Sequence, residues 1–211
     1  PLGFVVSCFP WGQGELANYT GPDEWQKNVL RHIGEELRNG VKSEQEVIRE
    51  AVASGNGVGK SAMVSWIILW AISTHEDTRG VVTANTETQL RSKTWPEVTK
   101  WHRLFLGKDL FEVTATSIFS SQKDHEKTWR IDAIPWSKEN PEAFAGLHNQ
   151  GKRILVIFDE ASAILDEIWR VTEGAVTDAN TEIIWCVFGN PTRNTGKFYD
   201  CFNSQSKFWN T

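Results

Sequence analysis

The sequence is poor in the features that mark several specialised classes of protein. Its 211 residues include three cysteines and one methionine. Cysteines so few and so widely spaced argue against a disulfide scaffold and against a zinc site, and they fit a reducing compartment. The longest apolar run, at 64–72, is far shorter than the ~20 residues of a membrane span. We expect a globular chain with no membrane contact. Because it starts at Pro1 without an initiator methionine, we also expect a segment of a longer protein.

An excess of positive charge is also missing. The 22 Lys and Arg residues against 27 Asp and Glu residues leave a net charge of -5. Any binding to nucleic acid must therefore depend on a local patch or on the geometry of an oligomer. Lys138, Lys152 and Arg153 are candidates for such a patch, although they could equally form a solvated face.

Helical and strand patterns alternate along the chain. After residues 1–21, which we interpret as an irregular arm that packs through its aromatic residues, residues 22–211 form the main domain. Helices are predicted at 22–40, 61–74, 86–105 and 164–173. Strands are predicted at 47–53, 80–84, 153–158 and 182–188, and the β-rich stretches 111–119 and 128–134 could pair with each other. Continuous apolar strands that alternate with helices predict an α/β three-layer sandwich with a mostly parallel central sheet.

A glycine-rich loop between the first strand and an apolar helix is the main functional signal. It reads Ser54, Gly55, Asn56, Gly57, Val58, Gly59, Lys60, Ser61. This is close to the phosphate-binding P-loop pattern, with Ser54 in place of the usual first glycine. Glycines let backbone N–H groups approach phosphate oxygens at a helix N-terminus. Lys60 can then reach the β- and γ-phosphates of a nucleotide, and Ser61 can ligate Mg²⁺; the alternative is an ordinary glycine-rich turn.

Two carboxylates close the buried strand at 153–158. Asp159 and Glu160 should therefore lie at the carboxyl edge of the sheet, where ligands of such sheets bind and where the P-loop also begins. Asp159 can complete the Mg²⁺ shell, and Glu160 can deprotonate an attacking water. The alternative is a pair of residues that caps the following turn. Asn190, after the strand at 182–188, can sense the γ-phosphate or can belong to a simple Asn-Pro turn.

Together these motifs resemble the ATPase domain of the large terminase subunit of tailed bacteriophages. The resemblance covers the chain from about Pro22 onwards and rests on SGNGVGKS, VIFDEAS and FGNPT, with support from GVVTANTETQLRSKTWPEV and PEAFAGLHNQGKRI. It implies a RecA-like P-loop fold of the additional-strand, catalytic-glutamate (ASCE) type. It also implies that Gln26 recognises adenine with Trp25 beside it, and that Asn190 couples hydrolysis to motion.

The resemblance further implies an ATP- and Mg²⁺-dependent motor that packages double-stranded viral DNA into a procapsid. The implied setting is the cytoplasm of a bacterial host, with self-association into a ring on a portal, a small terminase subunit and a C-terminal nuclease domain that this segment lacks. The stretch from about residue 190 would form a lid or linker. A small-molecule kinase, a non-catalytic ATP-dependent switch and another helicase-like ATPase are the competing functions.

One departure from the family concerns an arginine. Many terminases carry an arginine inside the P-loop, whereas Asn56 and Val58 occupy the middle of this loop. The arginine that offsets transition-state charge must then come from elsewhere in the chain or from a neighbouring subunit. The candidates are Arg49, Arg130, Arg153, Arg170 and Arg193.

Overall fold

A computed structural model describes residues 1–40, 47–136 and 147–211. The α-helices are α1 Leu2–Ser7, α2 Glu24–Asn39, α3 Lys60–Thr74, α4 Glu87–Gln89, α5 Trp95–Leu104, α6 Asp166–Ala175 and α7 Lys197–Cys201. The strands are β1 Val47–Ala53, β2 Arg79–Thr83, β3 Phe111–Val113, β4 Ser117–Ser120, β5 Arg130–Ala133, β6 Arg153–Phe158 and β7 Glu182–Gly189. Residues 137–146 lie outside the described residues. They include Lys138 and the first part of the PEAFAGLHNQGKRI motif.

One seven-stranded sheet organises the fold, in the order β1-β7-β6-β2-β5-β4-β3. The strands from β1 to β5 in this order are parallel, while β4 and β3 add an antiparallel hairpin at the far edge. The expected pairing between the two β-rich stretches is confirmed as the contact between β4 and β5. Strand β7 lies between β1, which precedes the glycine-rich loop, and β6, which precedes the acidic pair. Such an inserted strand is the topological mark of the ASCE type.

The two faces of the sheet bury separate apolar clusters. Alternate residues of β6 divide between them, because successive side chains of a strand point to opposite faces. Leu155 and Ile157 pack in the cluster under α2, α3 and α5, while Ile154 and Val156 pack in the cluster under α6 and α7. The three-layer sandwich predicted from the sequence is therefore confirmed. Among the described helices, none combines the length and the apolar character needed to cross a bilayer.

The sequence predicts one helix over 86–105, and the structure divides it. Helix α4 continues through a π-helical turn at Leu90–Thr94 into α5, and Trp95 N–H donates to the carbonyl five residues back, that of Leu90. Pro96 explains the wider turn. A proline inside a helix has no N–H for the i−4 carbonyl and its ring clashes with that carbonyl, so a regular α-helical turn is disfavoured there.

The arm at residues 1–21 is more ordered than we expected from the sequence. Residues Leu2–Ser7 form a helix and Gly14–Leu16 a 3₁₀ turn, so the interpretation of this stretch as irregular was wrong for these residues. Several close glycines and a proline masked the short helix. The expected aromatic packing is present, since Phe9 and Trp11 contact Trp101 and Trp11 also contacts Trp66. The arm belongs to the same apolar cluster as α3 and α5.

Candidate nucleotide-binding site

The glycine-rich loop leaves the carboxyl end of β1, beside the ends of β7 and β6. Ala53 pairs with Gly189 at the end of β7, and Ser54 N–H donates to the Gly189 carbonyl at 3.1 Å. Phe158, the last residue of β6, pairs with Val187 of β7. The fold therefore brings the P-loop, the acidic pair and Asn190 to one edge of the sheet.

Lys60 begins α3 and is 8% exposed, with its ammonium group held by the loop itself. Its Nζ donates to the carbonyls of Ser54 at 3.1 Å and Gly55 at 2.6 Å, and to Asn190 Oδ1 at 2.8 Å. These acceptors hold the charge inside the loop. A phosphate group that enters the loop must compete with them for the three N–H donors of Lys60.

Two glycines of the loop adopt backbone conformations that L side chains rarely adopt. Gly57 has φ +76° and Gly59 has φ +89°. At Gly59 a Cβ atom would also lie 2.8 Å from Gln26 Nε2 and would displace that amide group, while the backbone itself favours glycine. This curvature, directly before a 15-residue helix, is the geometry that aims backbone N–H groups at an anion.

Gln26 links the start of α2 to the P-loop. Its Oε1 accepts from Asp23 N–H at 2.7 Å, and the reciprocal contact of Asp23 completes a capping box. Its Nε2 donates to the Gly59 carbonyl at 3.1 Å. Gln26 also lines a cleft of about 560 Å³ with Tyr19, Val58 and Trp66. One amide N–H is not accounted for by these contacts, which leaves a donor for a base in the cleft.

Trp25 lies apart from this cleft. It lines a different cavity of about 370 Å³, together with Glu50, Ala53 and Phe202. Trp25 and Gln26 are neighbours in α2, and adjacent residues of a helix point about 100° apart, so they face different cavities. The structure thus brings Gln26 to the P-loop and does not bring Trp25 to the same cleft.

The acidic pair combines a buried, hydrogen-bonded aspartate with a strained glutamate. Asp159 is 5% exposed, and burial raises the pKa of its carboxyl, while the hydrogen bond from Thr94 lowers it. Glu160 has φ +53° and ψ +42°, in the left-handed region that non-glycine residues seldom adopt. Within the described residues its carboxylate has no hydrogen-bond partner, and it is partly exposed. A strained, partly solvated carboxylate next to a buried one suits a base that takes a proton from water.

Asn190 connects the loop after β7 to two parts of the P-loop. Its Oδ1 accepts from Lys60 Nζ, and its Nδ2 donates to Asn56 Oδ1 at 2.7 Å. Both amide atoms therefore contact groups that surround the expected position of a γ-phosphate. This is more specific than an Asn-Pro turn requires.

The structure also separates the five arginine candidates. Arg153 and Arg130 lie at the amino ends of β6 and β5, the edge opposite the P-loop, where they pair with Glu182 and Asp132. Arg153 is 5% exposed, which removes it from the candidate DNA patch as well. Arg49 lies within β1 beside a cavity lined by Glu173 and Lys197, and Arg170 is exposed on α6. Arg193 follows Asn190 in an exposed loop.

Sequence reasoning missed one residue of the site, Thr94. Its Oγ1 donates to Asp159 Oδ2 at 2.6 Å, and it is 2% exposed. The contact spans 65 positions and depends on the π turn before Pro96. The proline inside a helical pattern was the available signal, since it marks a local departure from helix geometry.

The residues present fit a bound Mg²⁺ ion. The hydroxyl of Ser61 and the carboxylate of Asp159 are hard oxygen ligands, the kind Mg²⁺ takes when it is bound together with phosphate groups. The buried ammonium group of Lys60 at this edge is a donor with no lone pair, so it supplies no competing ligand.

Comparisons with known proteins relate the chain to one group of phage proteins. No family model matches the chain. A protein described as the probable large terminase subunit of Enterobacteria phage P7 is 32% identical over 156 residues, which are 71% of this chain and 30% of that protein. The matched part of the chain therefore spans 30% of the length of this relative.

Solved structures agree in fold. The large terminase of bacteriophage HK97 superimposes with a TM-score of 0.61 at 16% identity, covering 99% of this chain and 42% of that one. The ATPase domain of the Thermus phage P74-26 large terminase gives 0.51 at 16% identity, over 89% and 71%. A large terminase from a thermophilic bacteriophage in complex with ADP gives 0.53 at 13% identity, over 80% and 39%.

Two observations define a P-loop fold of the RecA-like, ASCE class. Strand β7 is inserted between the P-loop strand and the acidic strand. Lys60, Asp159 and Asn190 are grouped at the edge of this sheet. Within that class, the relative in phage P7 and the superimposed structures identify the chain more closely. It belongs to the large terminase family of tailed bacteriophages, and its fold is that of the family's ATPase domain.

Proposed function

We propose that this domain hydrolyses ATP with Mg²⁺ and uses the energy to move double-stranded viral DNA into a procapsid. The observation that carries the proposal is the meeting of Lys60, Asn190 and the Asp159–Glu160 pair at one sheet edge. A large terminase family relative and an ADP-bound structural neighbour support the same function. In this proposal residues 22–211 are the ATPase domain, and residues from about 190 transmit its motion as a lid or linker.

The chain's own residues divide the work. The backbone of the loop from Ser54 to Gly59 binds the β-phosphate, and Lys60 moves from its carbonyl acceptors to the β- and γ-phosphates. Ser61 and Asp159 would hold Mg²⁺, which when bound would supply positive charge to the phosphate groups. Glu160 orients the attacking water and accepts its proton, and the adenine ring lies in the cleft beside Gln26. When the γ-phosphate leaves, Lys60 returns to Asn190, and this exchange reports hydrolysis to the loop that follows β7.

A kinase must keep water away from the γ-phosphate, and the Glu160 carboxylate, which has no hydrogen-bond partner among the described residues, argues against that alternative. We further propose that Arg193 supplies the positive charge missing from the P-loop, from the same chain or from a neighbour in a ring on the portal. The wider assembly would include the small terminase subunit and a C-terminal nuclease domain, in the cytoplasm of the bacterial host.

Steady-state ATP hydrolysis at increasing protein concentration, with and without duplex DNA, tests this function. Glu160→Gln should abolish turnover and leave ATP binding intact, because it removes only the proton acceptor. Arg193→Ala should lower turnover by about 10³-fold. Arg170→Ala, which removes another exposed arginine, is the matched control and should stay within about twofold of the parent chain.

The outcomes separate the alternatives. A rate that increases faster than linearly with concentration supports an arginine donated by a neighbour, whereas a linear rate that depends on Arg193 places the donor in the same chain. Turnover that Glu160→Gln leaves unchanged contradicts the catalytic assignment. ATP binding without any hydrolysis favours the non-catalytic switch.

A further inference from the structure

The hydroxyl of Thr94 makes a contact unlike those of three other helical threonines. Thr74, Thr99 and Thr172 each donate to the carbonyl four residues back in their own helix. This local bond is the usual arrangement for a threonine inside a helix. Thr94 donates instead to Asp159 Oδ2 at 2.6 Å, across to the end of β6. A hydroxyl in a buried position, directed at a carboxylate of the site, is a specific arrangement that calls for its own explanation.

The local fold keeps Thr94 in this place. It is the last residue of the π turn, and α5 begins at the next residue. Trp95 is buried and its Nε1 donates to the Thr114 carbonyl at 2.7 Å, which anchors the junction to the hairpin at the far edge of the sheet. The widened turn before Pro96 changes the angular position of the residues that follow it in the helix. The anchored junction therefore holds the Thr94 hydroxyl next to β6.

Asp159 has one hydrogen bond on each carboxylate oxygen. Thr94 donates to Oδ2, and the backbone N–H of Glu160 donates to Oδ1 at 3.0 Å. Each oxygen can accept a second partner. The two donors come from different elements, one from the helix after β2 and one from the strained turn after β6. Together they determine the rotation of the carboxylate about its Cβ–Cγ bond, and hence where the remaining lone pairs point.

We propose that Thr94 is a positioning residue for the metal-binding carboxylate, which holds Asp159 in the orientation that completes the Mg²⁺ shell. This inference rests on the proposed function, in which Asp159 binds Mg²⁺ beside the nucleotide. Partners that orient a ligating carboxylate typically change metal affinity or activity by about 10- to 100-fold when they are removed. Thr94 therefore belongs to the metal-dependent part of the site, and its loss has little effect on binding of the nucleotide alone.

The test compares Thr94→Val with Thr94→Ser in the 211-residue chain. Valine keeps the shape and removes the hydroxyl, whereas serine keeps the hydroxyl. Binding of a fluorescent ADP analogue is measured in EDTA and across a MgCl₂ titration, and the Mg²⁺ concentration for half-maximal ATP hydrolysis is measured separately. Thr99→Val is the matched control, because Thr99 lies in the adjoining helix α5 and its hydroxyl donates to the Trp95 carbonyl of that same helix.

For Thr94→Val we expect the Mg²⁺ requirement to rise by about tenfold or more, with ADP affinity in EDTA unchanged within about twofold. Thr94→Ser should return the requirement to within about threefold of the parent chain, and Thr99→Val should not change it. A Mg²⁺ titration of Thr94→Val that superimposes on that of the parent chain would overturn the proposal. An equal loss of ADP affinity with and without Mg²⁺ would also overturn the proposal, as would a Thr94→Ser variant as impaired as Thr94→Val. Either result would indicate that Thr94 acts through packing.

Failure of the proposed function gives a different result. In that case the parent chain itself shows no effect of Mg²⁺ on ADP binding, and Glu160→Gln does not change its turnover.

Discussion

Lys60 Nζ donates to Asn190 Oδ1 at 2.8 Å and thereby joins the P-loop to the loop after β7, 130 residues further along the chain. The same amide donates to Asn56 in the middle of the P-loop. The lysine that is proposed to hold the γ-phosphate and the side chain proposed to sense its loss are therefore in direct contact. An exchange of partners at Lys60 is the simplest way in which hydrolysis could alter the loop after β7.

Asn190→Asp should weaken ATP binding by about tenfold. The new carboxylate would form an ion pair with the Lys60 ammonium and would repel the phosphate charge, so phosphate would compete less well. Asn190→Ala removes the competitor and should bind ATP at least as tightly as the parent chain while turning it over more slowly. Equilibrium binding of ATP to both variants measures the difference. Equal affinities for the aspartate and alanine variants would show that Lys60 does not exchange partners.

Gln26→Glu should lower the affinity for ATP and reduce the preference for ATP over GTP. The substitution keeps an acceptor for Asp23 N–H but replaces the Nε2 donor with an oxygen that faces the Gly59 carbonyl. The P-loop then loses a hydrogen bond at its last glycine, and the cleft loses its amide donor. Competition binding with ATP and GTP gives both quantities.

Gln13→Glu is the control, because it makes the same change of charge at an exposed position of the arm. A tenfold loss for ATP that leaves the ATP-to-GTP ratio unchanged would show that Gln26 shapes the loop without reading the base.

Local motifs account for what the sequence predicted well. The loop from Ser54 to Ser61 and the apolar strand before Asp159 carry their signals within a few residues, so both were placed correctly. The parallel direction of these strands agrees with the same motifs, because their strands end at one edge of the sheet. The short helix Leu2–Ser7 was missed because six residues provide too little periodicity to distinguish a helix from irregular chain.

Contacts between distant segments could not be predicted in this way. The bond from Thr94 to Asp159 requires the π turn, the sheet order and the packing of α5 together. The same holds for Glu50, which is 1% exposed on β1 and contacts His32 of α2 and Asn210 of the C-terminal segment. From the sequence alone Glu50 is an unremarkable polar position in a strand, and nothing local indicates its partners.

Burial of Glu50 leads to a prediction about stability and pH. Desolvation raises the pKa of its carboxyl from 4.5 to about 7, although hydrogen bonds from Asn210 and His32 oppose the shift. Between these two pH values the folded chain holds a proton that the unfolded chain has released. The free energy of unfolding therefore falls as the pH rises through this window, and Glu50 alone should contribute a loss of roughly 3 kcal/mol.

Glu50→Gln should remove this contribution, because the neutral amide can still accept from Asn210 and has no proton to lose. Urea unfolding at pH 5, 6, 7 and 8 measures the effect of Glu50 together with its partner His32 as the difference between the two chains, since titrating groups distant from them are common to both. The variant should gain stability relative to the parent chain as the pH rises. Glu112→Gln, at an exposed position of β3, should show no such gain.

The same ionisation bears on the C-terminal segment, because Asn210 pairs with β1 through Ala51 N–H and the Arg49 carbonyl as well as through Glu50. A charged Glu50 keeps its acceptor for Asn210 but makes burial under that segment unfavourable. Hydrogen exchange at Ala51 should accordingly be faster at pH 8 than at pH 6, after correction for the intrinsic rate, and Glu50→Gln should abolish the difference. Stability profiles of parent and variant that run parallel from pH 5 to 8 would show that Glu50 is ionised throughout and that the segment is held independently of it.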